Sequence, residues 1–568
     1  PFGFTTTYSY DSWNRPVSLL DYLGNTSTTS YTKSGYDYTV TTSMPDGSGK
    51  VSVYNKLQQL IEKRHKNGMG QWVKQKFEYD ELDRVKRESE PYFNSPTQWN
   101  TTEYDNYGRI KKKTSFTGKT IHITYSGATT TIDDGSKTET ITKDAMGNIT
   151  QKSTSGTGTI AYTYFGNKNL KSTTFSGSTT TIQQDAWGRK TKIIDPSAGT
   201  FTYQYDGYGQ VTNENNPKGQ IAYTYDNAGR ILTKTYSGSS TMAITYNYNS
   251  TTKLLTSIAM TGDSNNSTYS YAYDSYHRLL TENESTPFAQ FETKYTYNSL
   301  NQVATEEYKA TRSGKISTKK VKNTYQYGGL KNIRDNTTNS LLWELGSLNE
   351  RGQLLSATLG ANMEEINEYD SMGYLTALKT RKTQSGSPIT LMNLGFDFNQ
   401  QTGLLQSRSN SVFNWNESFS YDDLERLTGF IDNTGNNSQQ YDNMGRITEN
   451  SMIGDYGYTG SSFQQASLTF NTKGTAYYNN LDQQTISYNA FNKPIEINEY
   501  GKDRVSFQYN AFEGRSNMYY GGTQSNKNQR RYQKHYSANG KMEVKFDSQS
   551  NKTTFVTYIG GDAYSAPL

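Results

Sequence analysis

The sequence predicts an all-β chain in which repeated antiparallel β-hairpins form one long ribbon that must curl, closing as propeller blades, winding as a solenoid or wrapping around a hollow interior. Three observations predict it. The phrase Tyr-x-Tyr-Asp-x-x-Gly-Arg recurs along all 568 residues. Neighbouring copies lie 20 residues apart at Asp206 and Asp226, 20 at Asp422 and Asp442, and 25 at Asp80 and Asp105, a spacing in the range of stacked repeats that cannot bury an apolar face singly. The apolar residues AVILMFWYC make up 32% of the chain, against about 45–50% in ordinary globular proteins, too few to fill a solid body of this length.

Each element of the repeat has a physical reason. In IAYTYDNAGRILTKTYSG (221–238), Tyr223 and Tyr225 fall on one side of an extended strand, since strand side chains alternate faces. Asp226 at the first place of the next four and Gly229 at the fourth suit a type I turn followed by a left-handed residue. The aspartate side chain accepts from the turn's own backbone, and glycine takes positive φ without a steric clash. Arg230-Ile231-Leu232-Thr233 then returns as the second strand. One copy is one hairpin.

Clear copies include Tyr79-Asp80, Tyr104-Asp105 with Gly108-Arg109, Tyr205-Asp206 with Gly209, and Tyr225-Asp226 with Gly229-Arg230. Further along come Tyr273-Asp274, Tyr369-Asp370 with Gly373, and Tyr441-Asp442 with Gly445-Arg446. These residues form the structural repeat motif. Worn copies fill the intervals at Asp144, Asp185, Asn298, Asn489 and Asn510. No linker composition interrupts them, so residues 1–568 read as a single continuous array.

With Tyr abundant and aliphatics scarce, the sheet is expected to be one layer thick, its tyrosines burying rings while their hydroxyls reach polar partners. The motif tyrosines are expected to be largely buried and to touch between adjacent hairpins, as Tyr205 with Tyr225. Large residues precede the turn position at Tyr107, Met146, Trp187, Tyr208, Met372 and Met444, and are expected to pack on one another along the ribbon's edge. One segment tests the repeat against a local signal. Leu57, Leu60, Ile61 and Arg64 have helical spacing, yet in register with the repeat 54–68 reads as a worn turn and a returning strand.

The repeated phrase resembles the Rhs/YD-repeat family over essentially the whole chain, and YIGGDAYSAPL (558–568) is similar to the segment just ahead of the family's core-associated domain. The resemblance implies the hollow β-shell that C components of insecticidal toxin complexes and teneurins wind from such repeats. In the bacterial toxins it implies an enclosed C-terminal effector released by self-cleavage. The family's Asp-Pro-x-Gly-Leu type cleavage motif is missing, because the one Asp-Pro is Asp195-Pro196, followed by Ser197-Ala198-Gly199. Autoproteolysis is therefore carried over to no residue. PFGFTTTYSYD begins inside a repeat, so the chain is expected to be a fragment of a longer one.

Chemistry has little foothold. There is no Cys, and His65, His122, His277 and His535 show no ligand spacing. His122 alternates as a strand residue, and His277 stands where better copies carry Gly. Asp133-Asp134 and Asp422-Asp423 occupy turn positions, where Asp already accepts backbone hydrogen bonds. The expectation is no enzyme, no cofactor and no metal. The formal net charge is +5, small for so large a surface, and the basic runs 110–115, 315–323 and 526–535 read as solvated strands or loops, so no nucleic-acid partner is expected. No apolar run approaches the roughly 20 residues that span a bilayer.

The function expected is a non-enzymatic shell that encapsulates and protects a C-terminal toxin or effector, its cargo, for export or delivery by a bacterial secretion machinery, with a secreted or cell-surface location. The alternative is an extracellular YD-repeat adhesin or carbohydrate-binding module whose exposed aromatics stack on glycans.

Overall fold

The computed structural model describes residues 3–384, 386–478, 484–560 and 563–565. It is all-β. Consecutive strands pair antiparallel: Gly199–Tyr205 with Val211–Asn216, then Gly219–Tyr225, Ile231–Gly238, Met242–Tyr248 and Leu255–Gly262. Hydrogen bonding of this kind joins a 42-stranded sheet, and the strands from Gln484 onward form a second sheet of eight.

The turn sets the register. Between Thr224 and Tyr225 the pairing with the returning strand slips by a residue, and the same slip precedes the turn at Tyr205 and Tyr273. The loop Asp226–Arg230, left-handed at its fourth residue, leaves Leu232 unpaired on the return strand, a bulge that also sharpens the right-handed twist.

Segment 54–68 follows the repeat rather than its helical spacing. Gly49–Tyr54 and Leu60–Lys66 are paired strands, and Gln58 takes φ of 61° in the turn between them. An α-helix at Thr472–Tyr478 was not foreseen. Its start is held by Asn471, whose Oδ1 accepts from Gly474 N at 2.8 Å, the ordinary use of Asn before a first turn.

The chain falls into two compact units: residues 1–159, 297–304 and 322–447, and residues 160–296, 305–321 and 448–568. Within the first, the ribbon's edge meets a later stretch of itself. Asn25 Nδ2 donates to Ser299 O at 2.9 Å, 274 residues on, and Gln98 Nε2 to Ser371 O at 2.8 Å, 273 residues on. Arg351 pairs with Glu90 at 2.5 Å and Lys137 with Glu425 at 2.6 Å. The second unit shows the same habit: Asn216 Nδ2 donates to Ala490 O at 2.9 Å, again 274 residues on, and Phe463 N to Ser197 Oγ at 2.9 Å across 266.

The expectation of a single layer fails in the second unit. Ile221, Tyr236, Met242, Ile244, Ile258, Met260 and Tyr269 form a buried cluster that Ala490 and Ala511 complete. Both alanines sit in turns of the second sheet, between Asn489 and Lys493 and between Asn510 and Gly514. A small residue at the second turn position lets the hairpin tip approach the long sheet. Phe491 and Phe512 beside them turn edge-on to Tyr236 and Tyr269, at 5.2 and 5.4 Å, a favoured geometry for aromatic pairs. Here two layers enclose a true core.

The repeat turn as candidate functional site

The residues singled out by the repeat build one recurring node. Asp226 Oδ1 accepts from the backbone N–H of Ala228 and of Arg230, both at 2.9 Å, while its Oδ2 holds Arg230 Nε at 2.7 Å. Backbone bonds from Asp226 N to Arg230 O and from Gly229 N to Asp226 O, each 2.9 Å, close the loop. The arginine side chain, a planar fork suited to carboxylates, thus folds back over its own turn.

Asp80, Asp105 and Asp442 bind Arg84, Arg109 and Arg446 in the same way. Asp274 repeats it with Arg278. Asp206 and Asp370 keep only the backbone half of the node, since Gln210 and Tyr374 stand in the arginine's place. Gly108, Gly209, Gly229, Gly373 and Gly445 have φ between 79° and 88°. Where glycine is replaced, the residue still goes left-handed, as at Asp83 with φ of 62° and His277 with 63°. The Arg230 backbone N–H and guanidinium hold Asp226 below the ordinary carboxylate range, and the Arg84 guanidinium does so for Asp80.

The next hairpin's tyrosine locks onto this node, and here the expected Tyr-to-Tyr contact is corrected. The ring of Tyr205 lies under Arg189 at 4.7 Å and its hydroxyl donates to Lys190 O at 2.6 Å; a ring contact with Tyr225 is not formed among the described residues. Tyr104 repeats this with Arg84 and Val85 O, and Tyr441 with Arg426 and Leu427 O. Tyr79, Tyr225 and Tyr273 keep the hydroxyl bond, to Leu60, Val211 and Leu255 O. Tyr369, like the others, has most of its surface covered without being fully buried. The reason is geometric: a flat guanidinium held by its aspartate fills the space over the ring that a second tyrosine would need, and the cation favours the ring face.

The edge residues are corrected too. Tyr107, Trp187 and Tyr208 are 85%, 85% and 94% exposed, and Met146 is exposed as well, while Met372 and Met444 are half-buried. A side chain at the third place of the turn projects away from the sheet, so consecutive tips do not seal one another.

The remaining candidates resolve structurally. Asp133 and Asp134 accept from turn N–H groups of Gly135, Ser136 and Lys137, and Asp422 from Leu424 and Arg426. His122 lies in the strand Thr120–Ser126 and His65 in Leu60–Lys66. The basic run 526–535 is not a solvated loop. Arg530 is fully buried, its guanidinium on Ser506 Oγ at 2.7 Å and Glu496 at 3.2 Å. His535, also buried, lies 2.9 Å from Arg312, and burial holds its imidazole down at about 3. Among the described residues no group of three or more His, Cys, Asp or Glu is placed to hold a metal, and no helix is long and apolar enough to cross a membrane.

The sequence profile of the teneurin YD-shell matches residues 32–525. The chain belongs to the teneurin YD-shell family. As a YD-shell chain it is similar in fold to the crystal structure of TcdB2-TccC3, with a TM-score of 0.62 at 14% identity, covering all of this chain and 38% of the other. It is also similar to TcdB2-TccC3 without its hypervariable C-terminal region (TM-score 0.63, 12% identity, 99% and 40% covered) and to the Photorhabdus luminescens Tc holotoxin pore (TM-score 0.58, 14% identity, 95% and 32% covered). The YD-shell chain therefore spans about two fifths or less of the solved chains it resembles. No curated protein matched. The segment 558–568, which carried part of the sequence resemblance, ends outside the described residues.

Proposed function

We propose that this chain is a wall of a non-enzymatic shell that encloses and protects a C-terminal toxin or effector. One observation carries the reading. The family's repeat is built here as a self-supporting ribbon whose edge meets itself at separations of 273 and 274 residues in one unit and 266 and 274 in the other, as a wound wall requires. On this proposal residues 1–568 act as one continuous array, fragment of a longer bacterial protein that is secreted or held at the cell surface, with the cargo and a secretion machinery as partners. The node uses its carboxylates for turn-making rather than acid–base work, which supports a structural role without catalysis.

The test uses the full coding region. Protease added to the intact protein is expected to spare a C-terminal segment that the same protease degrades once the shell is unfolded in urea. Equal digestion before and after unfolding overturns the proposal. The adhesin alternative is favoured by the exposed rings of Tyr107, Trp187 and Tyr208. Saturable binding of the purified chain to a glycan array, lost when these three are changed to Ser, would establish it.

A further inference from the structure

Within the second unit, strands Ser267–Tyr273, Leu279–Ser285 and Gln290–Tyr297 set two rows of side chains on one face. Tyr269 stands opposite Glu284, which stands opposite Phe291; Tyr271 stands opposite Glu282, which stands opposite Thr293. The turn Ser537–Asn539 and Phe512 close over them, leaving a cavity of about 180 Å³. A water takes about 30 Å³ of liquid volume, so this is room for a small molecule.

The carboxylates in it are unequal. Glu282 is engaged, its Oε1 accepting from the Tyr295 hydroxyl and from Asn539 Nδ2, each at 2.6 Å. Glu284 is 6% exposed. Its Oε2 accepts from Ala538 N at 2.7 Å; its Oε1 forms no full hydrogen bond among the described residues, and the Tyr269 hydroxyl is the one side-chain donor near enough to steady the carboxyl. The nearby Lys541 is committed to Glu306 and lies over the rings of Tyr295 and Tyr308, and among the described residues no side-chain cation acts on Glu284. A buried carboxylate short of donors is costly, and four rings, those of Tyr269, Tyr271, Phe291 and Phe512, stand among the residues that line the cavity.

We propose that this cavity binds a small organic cation, an alkylammonium group about the size of a lysine side-chain end, with Glu284 as counter-ion and Tyr269, Tyr271, Phe291 and Phe512 as its aromatic walls. A charged group over ring faces gains most where water is excluded, and an ammonium N–H supplies the donor that Glu284 Oε1 lacks. A hard divalent ion is a poor fit, since it asks for six or more oxygen ligands. The inference stands apart from the shell reading and survives its failure.

Isothermal titration of the purified chain with methylammonium and with tetramethylammonium, against sodium at equal ionic strength, tests it. The expected result is saturable binding of the organic cations, weakened at least about tenfold in Glu284→Gln, which keeps the shape and the bond from Ala538. Phe512→Leu, at the mouth, is expected to weaken tetramethylammonium more than methylammonium, and it carries the test should Glu284→Gln fail to fold. Absence of saturable heat, or equal affinity in Glu284→Gln and wild type, overturns the proposal.

Discussion

The Arg230 guanidinium sits 4.2 Å above the ring of Tyr248 while its Nε is bound to Asp226 at 2.7 Å. Tyr248 in turn donates its hydroxyl to Ile231 O at 3.1 Å, so two hairpins are joined through one residue's side chain and its neighbour's backbone. The arginine of the motif is thus the coupling between repeats, and the aspartate is what aims it.

A double-mutant cycle measures that coupling. Arg230→Lys keeps the charge but loses the planar fork, and Tyr248→Leu removes the ring. The cycle is expected to give an interaction energy of about 0.5–1 kcal/mol by urea denaturation. Additive single effects would deny the stacked pair a role.

At Gly229 the backbone demands φ of 80°. Gly229→Asn is expected to lose under about 1 kcal/mol, because Asn is among the residues that visit this region readily and Asn14 and Asn301 already do so at the same place in other copies. Gly229→Val is expected to cost about 1–3 kcal/mol. Hydrogen exchange at Ala228–Arg230 separates a local opening from global unfolding.

Trp187 and Tyr208 bear on whether the tips are structural. Both are almost fully exposed, so Trp187→Ser and Tyr208→Ser are expected to change stability by less than about 0.5 kcal/mol, and acrylamide is expected to quench Trp187 fluorescence strongly. A loss of several times that size would mean that the tips pack against something in solution.

How far the sequence could be read follows from where each interaction lies. The hairpin is written within five residues, Asp226 to Arg230, because turn chemistry is local; hence the turns, the positive-φ glycines and the strand Leu60–Lys66 were all legible. The stacking of Arg230 on Tyr248 was not, since two motif tyrosines per repeat offer the same pattern and only the bulge decides which ring meets the arginine. Likewise Ala490 lies 274 residues from its partner Asn216, and nothing local distinguishes a turn alanine that docks from one in water. The signal available was weak: Ala-Phe follows the turn asparagine at both Asn489 and Asn510, but Ala186-Trp187 stands at the same turn places and is exposed.

The last prediction concerns pH. Burial, only partly offset by the Ala538 N–H and the Tyr269 hydroxyl and slightly reinforced by the Glu282 charge, pushes the Glu284 carboxyl up to about 7. The folded value lies above that of the unfolded chain, so folding takes up a proton between roughly pH 4.5 and 7. The stability this group contributes is fully present below about pH 4.5 and is lost as pH rises through 7, by about 3 kcal/mol at most. His535 runs the other way. Its folded value near 3 lies below the unfolded one, so its penalty grows as pH falls beneath about 6.5. The two partly cancel in the wild type, and the difference between wild type and Glu284→Gln isolates the carboxylate. Tyr269 and Tyr271, which face Glu284, are pushed up by burial and stay neutral in this window. In urea unfolding, the stability of wild type relative to Glu284→Gln is expected to fall between pH 5 and 8. A parallel pair of curves would show that Glu284 is charged, and therefore paired, throughout that range.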